Sequence, residues 1–212
     1  MDISLYFYKD INEINNKVGE SMRVISGKYK GRNLKAVPGM STRPTTDKVK
    51  ESLFHRMGPY LDGGNVLDLF AGSGGLGIEA LSRGADHVVF VDAQGAAVKT
   101  IHKNLETLKV DHGYNVFRQD AFRALKAASK QGRQFDYVFL DPPYGKVSFD
   151  KLFEALIDHK VLNVDAMIIC EHDPNDKLPE SQALFEKVHY DMYSNTIAVT
   201  VYRYEKQEDT NV

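Results

Sequence analysis

Short blocks of apolar, β-branched and aromatic residues recur along most of the chain, and amphipathic segments separate them. The blocks are six to eight residues long, which is typical of strands. They are NVLDLF (65–70), HVVFVD (87–92), NVFRQD (115–120), FDYVFLD (135–141) and AMIICEHD (166–173). The segments between them carry apolar residues at helical spacing, which predicts helices. These span 75–84, 96–108, 121–130 and 149–159. The alternation predicts an α/β, doubly wound and mostly parallel sheet.

The C-terminal part of the chain departs from this alternation. FEKVHYDMYS (185–194) and TIAVTVYRYE (196–205) follow each other with no helix between them. They predict an antiparallel pair of strands that closes one edge of the sheet. Together with the five earlier blocks they predict a seven-stranded sheet with an antiparallel C-terminal strand.

The segment before the first predicted strand has a different character. RVISGKYKGRNLKAV (23–37) alternates apolar and polar residues around two glycines, which predicts short strands or a small hairpin with basic side chains on one face. PGMSTRPTTD (38–47) is predicted to be a loop, and DKVKESLFHRM (47–57) a helix capped by Thr46 or Asp47.

These patterns predict a division of the chain into four parts. Residues 1–21 show no clean period and are expected to be a non-native or disordered extension, with Met22 as a sensible natural start. Residues 22–58 form the basic hairpin and helix, 59–206 form the main domain, and 207–212 form a tail.

Composition and charge narrow the class of protein. The chain has 212 residues, 42% of them hydrophobic and 26% charged, which suits one globular domain with a small additional element. No apolar run is long enough to span a membrane, and no signal-peptide pattern is present. The single cysteine, Cys170, lies in an apolar run and is expected to be buried. We therefore expect a cytoplasmic protein without membrane association.

The net charge of −2 hides an uneven distribution of charged residues. Residues 22–50 contain eight basic residues against one acid, whereas residues 51–212 contain 17 basic and 24 acidic residues. A basic segment on an acidic body favours a polyanionic partner that binds at one end of the molecule. A lysine-rich loop in solvent explains the same charges equally well.

A glycine-rich turn follows the first predicted strand. In DLFAGSGGLGIEA, Gly72, Gly74 and Gly77 satisfy the pattern G-x-G-x-x-G directly before a helix, and Asp92 ends the next strand twenty residues after Gly72. Such glycines let a nucleoside ligand approach the backbone, and the carboxylate accepts hydrogen bonds from a ribose diol. An NAD(P)-binding oxidoreductase, or a close-packed turn without a ligand, would present the same glycines.

Two further carboxylates at strand ends favour S-adenosylmethionine over a dinucleotide. Asp68 lies four residues before Gly72, where a carboxylate suits the ammonium of a methionine moiety better than a pyrophosphate. Asp120 ends the third strand, where it is positioned to accept a hydrogen bond from an adenine amino group. The antiparallel end of the chain is also unlike the usual dinucleotide fold.

The stretch LDPPYG (140–145) predicts a second site at the end of the fourth strand. An exocyclic amino group of a nucleobase is a poor nucleophile, and it needs acceptors that hold its hydrogens. Asp141 supplies one acceptor and the carbonyl of Pro142 another, while Pro142 and Pro143 have no N–H that would compete. Tyr144 offers a face on which an extruded base can stack. The alternative is an ordinary Asx-Pro turn with Tyr144 packed at its rim.

The combination of these motifs resembles a known family. MRVISGKYKGRNL, TRPTTDKVKESLF and VLDLFAGSGGLGIEALSRGA, together with the DPPY motif, resemble the RsmD family of bacterial small-subunit ribosomal RNA guanine-N2 methyltransferases. The resemblance extends from about Met22 to Glu205. It implies a Rossmann-like S-adenosylmethionine-dependent methyltransferase fold and methylation of the N2 amino group of a guanine in 16S ribosomal RNA.

The resemblance also implies roles for individual residues. The methionine and ribose end of the cofactor would contact Asp68, Phe70, Gly72 and Gly74, the ribose hydroxyls Asp92, and the adenine Asp120 and Ala121. The target guanine would be held by Asp141, Pro142, Pro143 and Tyr144, and Arg43 would sit over the cofactor or the flipped base. RNA phosphates would contact Arg23, Lys28, Lys30, Arg32 and Lys35. Relatives usually carry glutamate where Asp92 stands, so a looser or water-bridged ribose contact is expected.

The proposed reaction is a direct transfer of the methyl group to guanine N2, without a covalent enzyme intermediate. The seven histidines show no metal-ligand spacing, so no metal is expected. The expected partner is 16S ribosomal RNA, the small subunit or an assembly intermediate, bound by a monomer. The alternatives are a DNA adenine-N6 or protein glutamine methyltransferase with the same clamp, an NAD(P)-binding oxidoreductase, and a non-catalytic RNA-binding subunit.

Overall fold

A seven-stranded sheet forms the centre of the molecule, with the strand order 3-2-1-4-5-7-6. The structure is a computed structural model that describes residues 22–39, 47–179 and 184–205. The strands are β1 (Asn65–Asp68), β2 (His87–Asp92), β3 (Tyr114–Arg118), β4 (Phe135–Leu140), β5 (Leu162–His172), β6 (Phe185–Ser194) and β7 (Ile197–Tyr204). The helices are α1 (Asp47–Met57), α2 (Gly75–Ser82), α3 (Gly95–Leu108), α4 (Ala121–Lys130) and α5 (Phe149–Asp158).

The pairing of the strands confirms the predicted fold class. β1 pairs in parallel with both β2 and β4, and β4 pairs in parallel with β5. β7 lies antiparallel between β5 and β6. The strand order reverses beside β1, and the carboxyl ends of β1 and β4 therefore lie side by side at the edge where doubly wound folds bind ligands.

Helices cover the sheet on both faces, and each face has its own apolar core. On one face, Phe54 of α1 and Ile78 of α2 pack with Ile101 of α3 and with Phe139 of β4. On the other face, Leu125 of α4 and Phe153 of α5 pack with alternate residues of the same strands. Because both faces are buried, the central strands are apolar almost throughout. The first core, which we call the α1–α3 face, also carries the N-terminal segment.

The boundaries of several elements differ from the sequence prediction. β1 ends at Asp68, two residues earlier than predicted, because the chain turns into the glycine loop. β5 begins at Leu162, four residues earlier than predicted, and its register with β4 shifts near Phe135. The start of this strand is not apparent from the sequence pattern because it contains polar residues. Asp165, one of them, has a left-handed φ of 61°.

The predicted short strands or hairpin at 23–37 are present in a less regular form. The described chain there contains a single antiparallel bridge, between Arg23 and Asn33, and a short 3-10 turn, Gly27–Tyr29. Backbone hydrogen bonds join the two halves of the segment, from the N–H of Val24 to the carbonyl of Arg32 at 2.9 Å and from the N–H of Leu34 to the carbonyl of Met22 at 2.6 Å. The N–H groups of Ile25 and Ser26 donate instead to the carboxylate of Glu79, so the segment is held both by its own pairing and by α2.

Some sequence expectations fall on residues outside the described ranges. Residues 1–21, Arg43 and 207–212 are among these, so their predicted roles stay predictions. Within the described ranges, no helix combines the length and the apolarity that a membrane span requires.

Candidate functional site

The carboxylate of Asp68 closes β1 and anchors the glycine turn. Its side chain is buried, and its Oδ2 accepts a hydrogen bond from the N–H of Gly77 at 2.9 Å. Burial raises the pKa of Asp68 to about 7, a rise that the Gly77 hydrogen bond opposes and the charge of Asp92 increases. Gly77 must be glycine, because a Cβ there would lie 2.3 Å from the ring of Phe90.

Asp92 holds the same turn from β2. Its Oδ2 accepts the N–H of Gly72 at 2.9 Å, and its Oδ1 accepts the N–H of Gln94 at 2.8 Å. Gly72 has a left-handed φ of 52°, and a Cβ at this position would meet no atom within 4 Å. The turn therefore faces open space. Each oxygen of Asp92 keeps a further lone pair, so the carboxylate can still accept a ribose hydroxyl.

Asp120 caps the helix that follows β3. Its Oδ1 accepts hydrogen bonds from the N–H groups of Phe122 and Arg123, at 3.1 and 3.2 Å. The structure thus gives the side chain a local role, as the N-cap of α4, that the sequence reading did not include. The residue is exposed, and Ala121 beside it is buried. Phe70 packs against the core on the α4–α5 side. Contact of these residues with adenine or ribose stays a prediction.

The DPPY stretch directly follows β4. Asp141 is partly buried, Pro142 is buried, and Pro143 is exposed, with its carbonyl accepting the N–H of Lys146 at 3.1 Å in a tight turn. The ring of Tyr144 is 55% exposed at the rim, so one side of it is available for stacking. Its hydroxyl donates a long hydrogen bond, 3.4 Å, to the carbonyl of Thr196 in the β6–β7 turn. Burial, Glu171 and Asp141 raise the pKa of Tyr144 to about 12.

Three carboxylates converge at the ends of β1, β4 and β5. Register pairs Asp68 with Phe139 and Leu140 with Cys170, so Asp141 follows β4 beside Glu171 of β5. Strand alternation directs all three carboxylates to the α1–α3 face, since the residues two positions earlier belong to that core. The pKa of Asp141 is raised well above its usual range, first by burial and then by the charges of Glu171 and Asp68.

Glu171 lies at the candidate site, and the sequence analysis did not single it out. It is only 4% exposed, although it is a carboxylate in an otherwise apolar strand. The signal was present in AMIICEHD, where an acidic residue interrupts an apolar run near the ligand edge. What the sequence could not supply was the register that puts it beside Asp141.

The basic segment lies on α2 and α3, close to the glycine turn. Asn104 of α3 is buried; its Oδ1 accepts the N–H of Lys35, and its Nδ2 donates to the carbonyls of Lys35 and Ser73. The segment is thereby joined to the turn that contains Gly72. The side chains of Lys28, Lys30, Arg32 and Lys35 are exposed, and a hydrogen bond with Lys103 lowers the pKa of Lys35. Arg23 forms an exposed ion pair with Asp47 at 2.7 Å.

Glu79 of α2 holds the start of this segment. Its carboxylate accepts the N–H groups of Ile25 and Ser26 at 2.8 and 3.0 Å, and the Nε of Arg83 at 2.8 Å. Lys50, one of the eight basic residues counted in residues 22–50, is 1% exposed. Its Nζ donates to the carbonyl of Arg23 and lies 3.9 Å from Glu79. Lys50 therefore serves to dock the segment and is not available to a polyanion.

One further cavity in the described part of the chain lies away from this site. A cavity of about 360 Å³ lies beside His87, Asn115 and Arg133, at the amino ends of the strands and so at the opposite edge of the sheet. Ligands of doubly wound sheets bind at the carboxyl ends, and we assign this cavity no role. No group of three or more potential metal ligands occurs among the described residues.

Several known proteins are similar to this chain in sequence. The model of the family "Conserved hypothetical protein 95" matches residues 22–203. A Bacillus subtilis protein named "Putative rRNA methyltransferase YlbH" is 50% identical over 182 residues, which cover 86% of this chain and 98% of that protein. "Ribosomal RNA small subunit methyltransferase D" of Haemophilus influenzae is 37% identical and covers 85% of this chain and 96% of its own length.

A solved structure agrees with these sequence relatives. "Putative methyltransferase yhhF from Escherichia coli" superimposes with a TM-score of 0.76 and 33% identity, over 88% of this chain and 99% of that one. The match covers most of both chains, so the two proteins share the architecture described above.

Proposed function

The chain belongs to the family of conserved hypothetical protein 95, and from its site geometry we propose that it is an S-adenosylmethionine-dependent methyltransferase. The proposed acceptor is the exocyclic N2 of a guanine in 16S ribosomal RNA, free or within a small subunit or its assembly intermediate. The name of the Haemophilus influenzae relative, which specifies ribosomal RNA and the small subunit, supports this class of substrate. The guanine N2 comes from the resemblance of the motifs and from the chemistry of the clamp.

One observation carries the proposal: Asp68 and Asp141 follow neighbouring parallel strands and face the same side. A methyl donor held at the end of β1 is then directly beside an acceptor held at the end of β4. Proximity of this kind supplies a large part of the rate in a transfer that needs no covalent intermediate. Because Asp68, Asp141 and Tyr144 come from one chain, the proposed site needs no residue of a second subunit, and the proposed active species is a monomer.

The residues around β1 and β2 fit S-adenosylmethionine. Asp68 is a buried carboxylate with one hydrogen bond, to Gly77, and a cationic group would stabilise its ionised form. Gly72 leaves open space beside Asp92, as a ribose requires. Asp120 keeps its Oδ2 outside the helix cap, which uses Oδ1. When bound, the cofactor supplies an electrophilic methyl group on a sulfonium.

The DPPY stretch then holds the acceptor. The carboxylate of Asp141 and the carbonyl of Pro142 accept the two amino hydrogens and let the nitrogen lone pair turn toward the methyl group. Pro142 and Pro143 offer no competing N–H donor. Tyr144 provides the exposed face for stacking, which contributes about 1–3 kcal/mol per base. The base must be unpaired and rotated out of its helix to reach this position.

The raised pKa of Asp141 also suits it to receive a proton. Guanine N2 becomes acidic as it gains the methyl group, and a carboxylate of raised pKa is a better proton acceptor than an ordinary one. Asp141 must nevertheless be ionised before transfer, although its raised pKa favours the protonated form. A positive charge at the cofactor site favours that ionisation, because Asp68 and Asp141 are neighbours.

The exposed basic side chains of the N-terminal segment would contact RNA phosphates beside the site. Because Asn104 joins Lys35 to Ser73 of the glycine turn, phosphate contacts would position the RNA relative to the cofactor.

The decisive test is a transfer assay with S-adenosylmethionine labelled in its methyl group. Small-subunit RNA and particles that lack the modification are incubated with the protein, and the product is mapped by primer extension and nucleoside mass. We expect one N2-methylguanosine. Label in adenine N6 of DNA or in protein glutamine would favour the rival methyltransferases. Absence of transfer to every acceptor, with hydride transfer from a nicotinamide cofactor, would overturn the proposal.

A further inference from the structure

Lys35 of the N-terminal segment and Lys103 of α3 form a pair of cations at the protein surface. Both side chains are exposed, and the two ammonium groups lie within hydrogen-bonding reach of each other. That contact and the charge of Lys103 lower the pKa of Lys35. Lys35 is among the residues expected to contact RNA, whereas Lys103 has no role in the function proposed above.

Backbone hydrogen bonds hold the two lysines beside each other. Asn104, the residue after Lys103, is buried, and its Oδ1 accepts the N–H of Lys35 at 2.8 Å. Its Nδ2 donates to the carbonyl of Lys35 at 3.0 Å and to the carbonyl of Ser73 at 2.9 Å. Both backbone polar groups of Lys35 are therefore fixed against α3, and the lysine pair has a defined position relative to the glycine turn.

The surroundings of this pair differ from those of another cation on the same segment. Arg23 forms an ion pair with Asp47 at 2.7 Å. Among the ion pairs between described residues, none involves Lys35 or Lys103. Two ammonium groups at short range repel each other, and an anion between them relieves this repulsion. The pair therefore has a physical reason to bind an anionic group.

An RNA phosphate is the anion that best fits this position. Lys35 belongs to the same segment as the exposed side chains of Lys28, Lys30 and Arg32, and the pair lies next to the residue that contacts the glycine turn. Lysine ammonium groups bind phosphates as point charges. We propose that Lys35 and Lys103 together bind one RNA phosphate and thereby extend the RNA-binding surface onto α3. This inference rests on the proposed function and adds Lys103 to it.

The test measures the RNA affinity of Lys35→Gln, Lys103→Gln and the double variant at several salt concentrations. Filter binding with a fragment of 16S ribosomal RNA gives the slope of log affinity against log salt. Either lysine alone can still neutralise a shared phosphate, so each single variant should lower the slope by less than about 0.3. The double variant should lower it by about 0.7–0.9, which corresponds to one lost phosphate contact.

A charge reversal separates phosphate binding from a structural role. Lys103→Glu places an acid against Lys35, so the free energy of unfolding in urea should not fall, whereas RNA affinity should fall below that of Lys103→Gln. The matched control is Lys126→Gln combined with Lys151→Gln, at exposed positions on the opposite face, and it should keep the wild-type slope.

The outcomes separate this inference from the proposed function. If the wild type methylates guanine but the double variant keeps the wild-type slope, the role of the lysine pair alone is contradicted. The loss of one phosphate contact in each single variant and of two in the double variant would contradict the shared phosphate. Absence of both RNA binding and transfer by the wild type contradicts both proposals. If the double variant does not fold, an unchanged RNA affinity of Lys103→Glu still overturns the inference.

Discussion

Acidic side chains on the α1–α3 face of the sheet have two contrasting kinds of neighbours. Glu79 is saturated by its own chain: two backbone N–H groups and Arg83 donate to it, and Lys50 lies nearby. At the strand ends, Asp141 has Glu171 and Asp68 as its charged neighbours, and burial raises the pKa of both aspartates. In the first arrangement the neighbours of the acid are cations and N–H groups, whereas in the second they include other acids, whose charges help to raise the pKa of Asp141.

The comparison shows how a structural carboxylate can be told from a candidate functional one. Burial is common to both, so burial alone does not discriminate. The difference lies in the neighbours, since a carboxylate matched by cations and N–H groups needs nothing more. A cluster of like charges in a ligand-binding edge has a physical reason to bind something. The predictions below test this distinction.

The largest effect is expected for Asp141→Asn. Loss of one oxygen acceptor and of the proton acceptor should lower the transfer rate by about 10²–10³-fold, as for other preorganised polar groups of active sites. Affinity for S-adenosylmethionine should stay within about threefold, and the free energy of unfolding should not fall, because a buried like charge is removed. Single-turnover kinetics and urea denaturation measure the two quantities. An equal loss of cofactor affinity would mean that Asp141 belongs to the cofactor site.

Glu79→Ala should lower the stability of the fold, whereas Asp141→Asn should lower the transfer rate. It leaves Arg83 and Lys50 buried without their carboxylate, so the free energy of unfolding should fall by about 3–5 kcal/mol. Urea denaturation checks this value, with Glu106→Ala, at an exposed position of α3, as the control. A loss of less than about 1 kcal/mol would mean that the N-terminal segment is not held by Glu79.

The exposed basic side chains of the N-terminal segment should affect the affinity for RNA and leave the affinity for S-adenosylmethionine unchanged. Lys28→Glu combined with Arg32→Glu should lower the slope of log affinity against log salt by about 0.7–0.9 for each lost phosphate contact. Filter binding at several salt concentrations measures the slope. Lys126→Glu with Lys151→Glu, on the opposite face, is the matched control. An unchanged RNA affinity would favour the alternative interpretation, in which the segment is a lysine-rich loop in solvent.

The smallest effect concerns the pH dependence of cofactor affinity. Asp68 has a raised pKa of about 7, so below that pH the proton and the cofactor ammonium compete for one carboxylate. Affinity should therefore rise with pH, by about tenfold per unit below pH 7, and level off above it. Calorimetry in buffers of different ionisation enthalpy should detect proton release on binding. Asp68→Asn should weaken binding and abolish the pH dependence; persistence of that dependence would assign it to another group.

Features that depend on neighbouring residues in the sequence were predictable. The period of the apolar residues predicted the seven strands and the helices that cover them, and the glycine pattern predicted the turn after β1. The position of Asp68, Asp92 and Asp141 at strand ends followed from the same pattern, because the carboxyl ends of parallel strands share one edge. Their contacts with ligands stay predictions.

Features that depend on distant residues were not predictable. Glu79 is 53 residues from Ser26 in the sequence, and its contacts with Ile25 and Ser26 fix the N-terminal segment on α2. Lys50, one of the basic residues in the charge count, is buried and donates to the carbonyl of Arg23. Asp120 proved to cap α4, a role its local sequence allowed but did not require.

The sequence by itself determined the architecture and the identity of the groups that reach the ligand edge. Local backbone preferences and the burial of apolar side chains are sufficient for that, since both are written in short stretches of residues. Only the tertiary structure decided which acids are neutralised and which stand together, because charge neighbours are set by strand register and helix packing. The pairing of β5 with β4 places Glu171 beside Asp141, and this pairing joins two strands that are separate in the sequence.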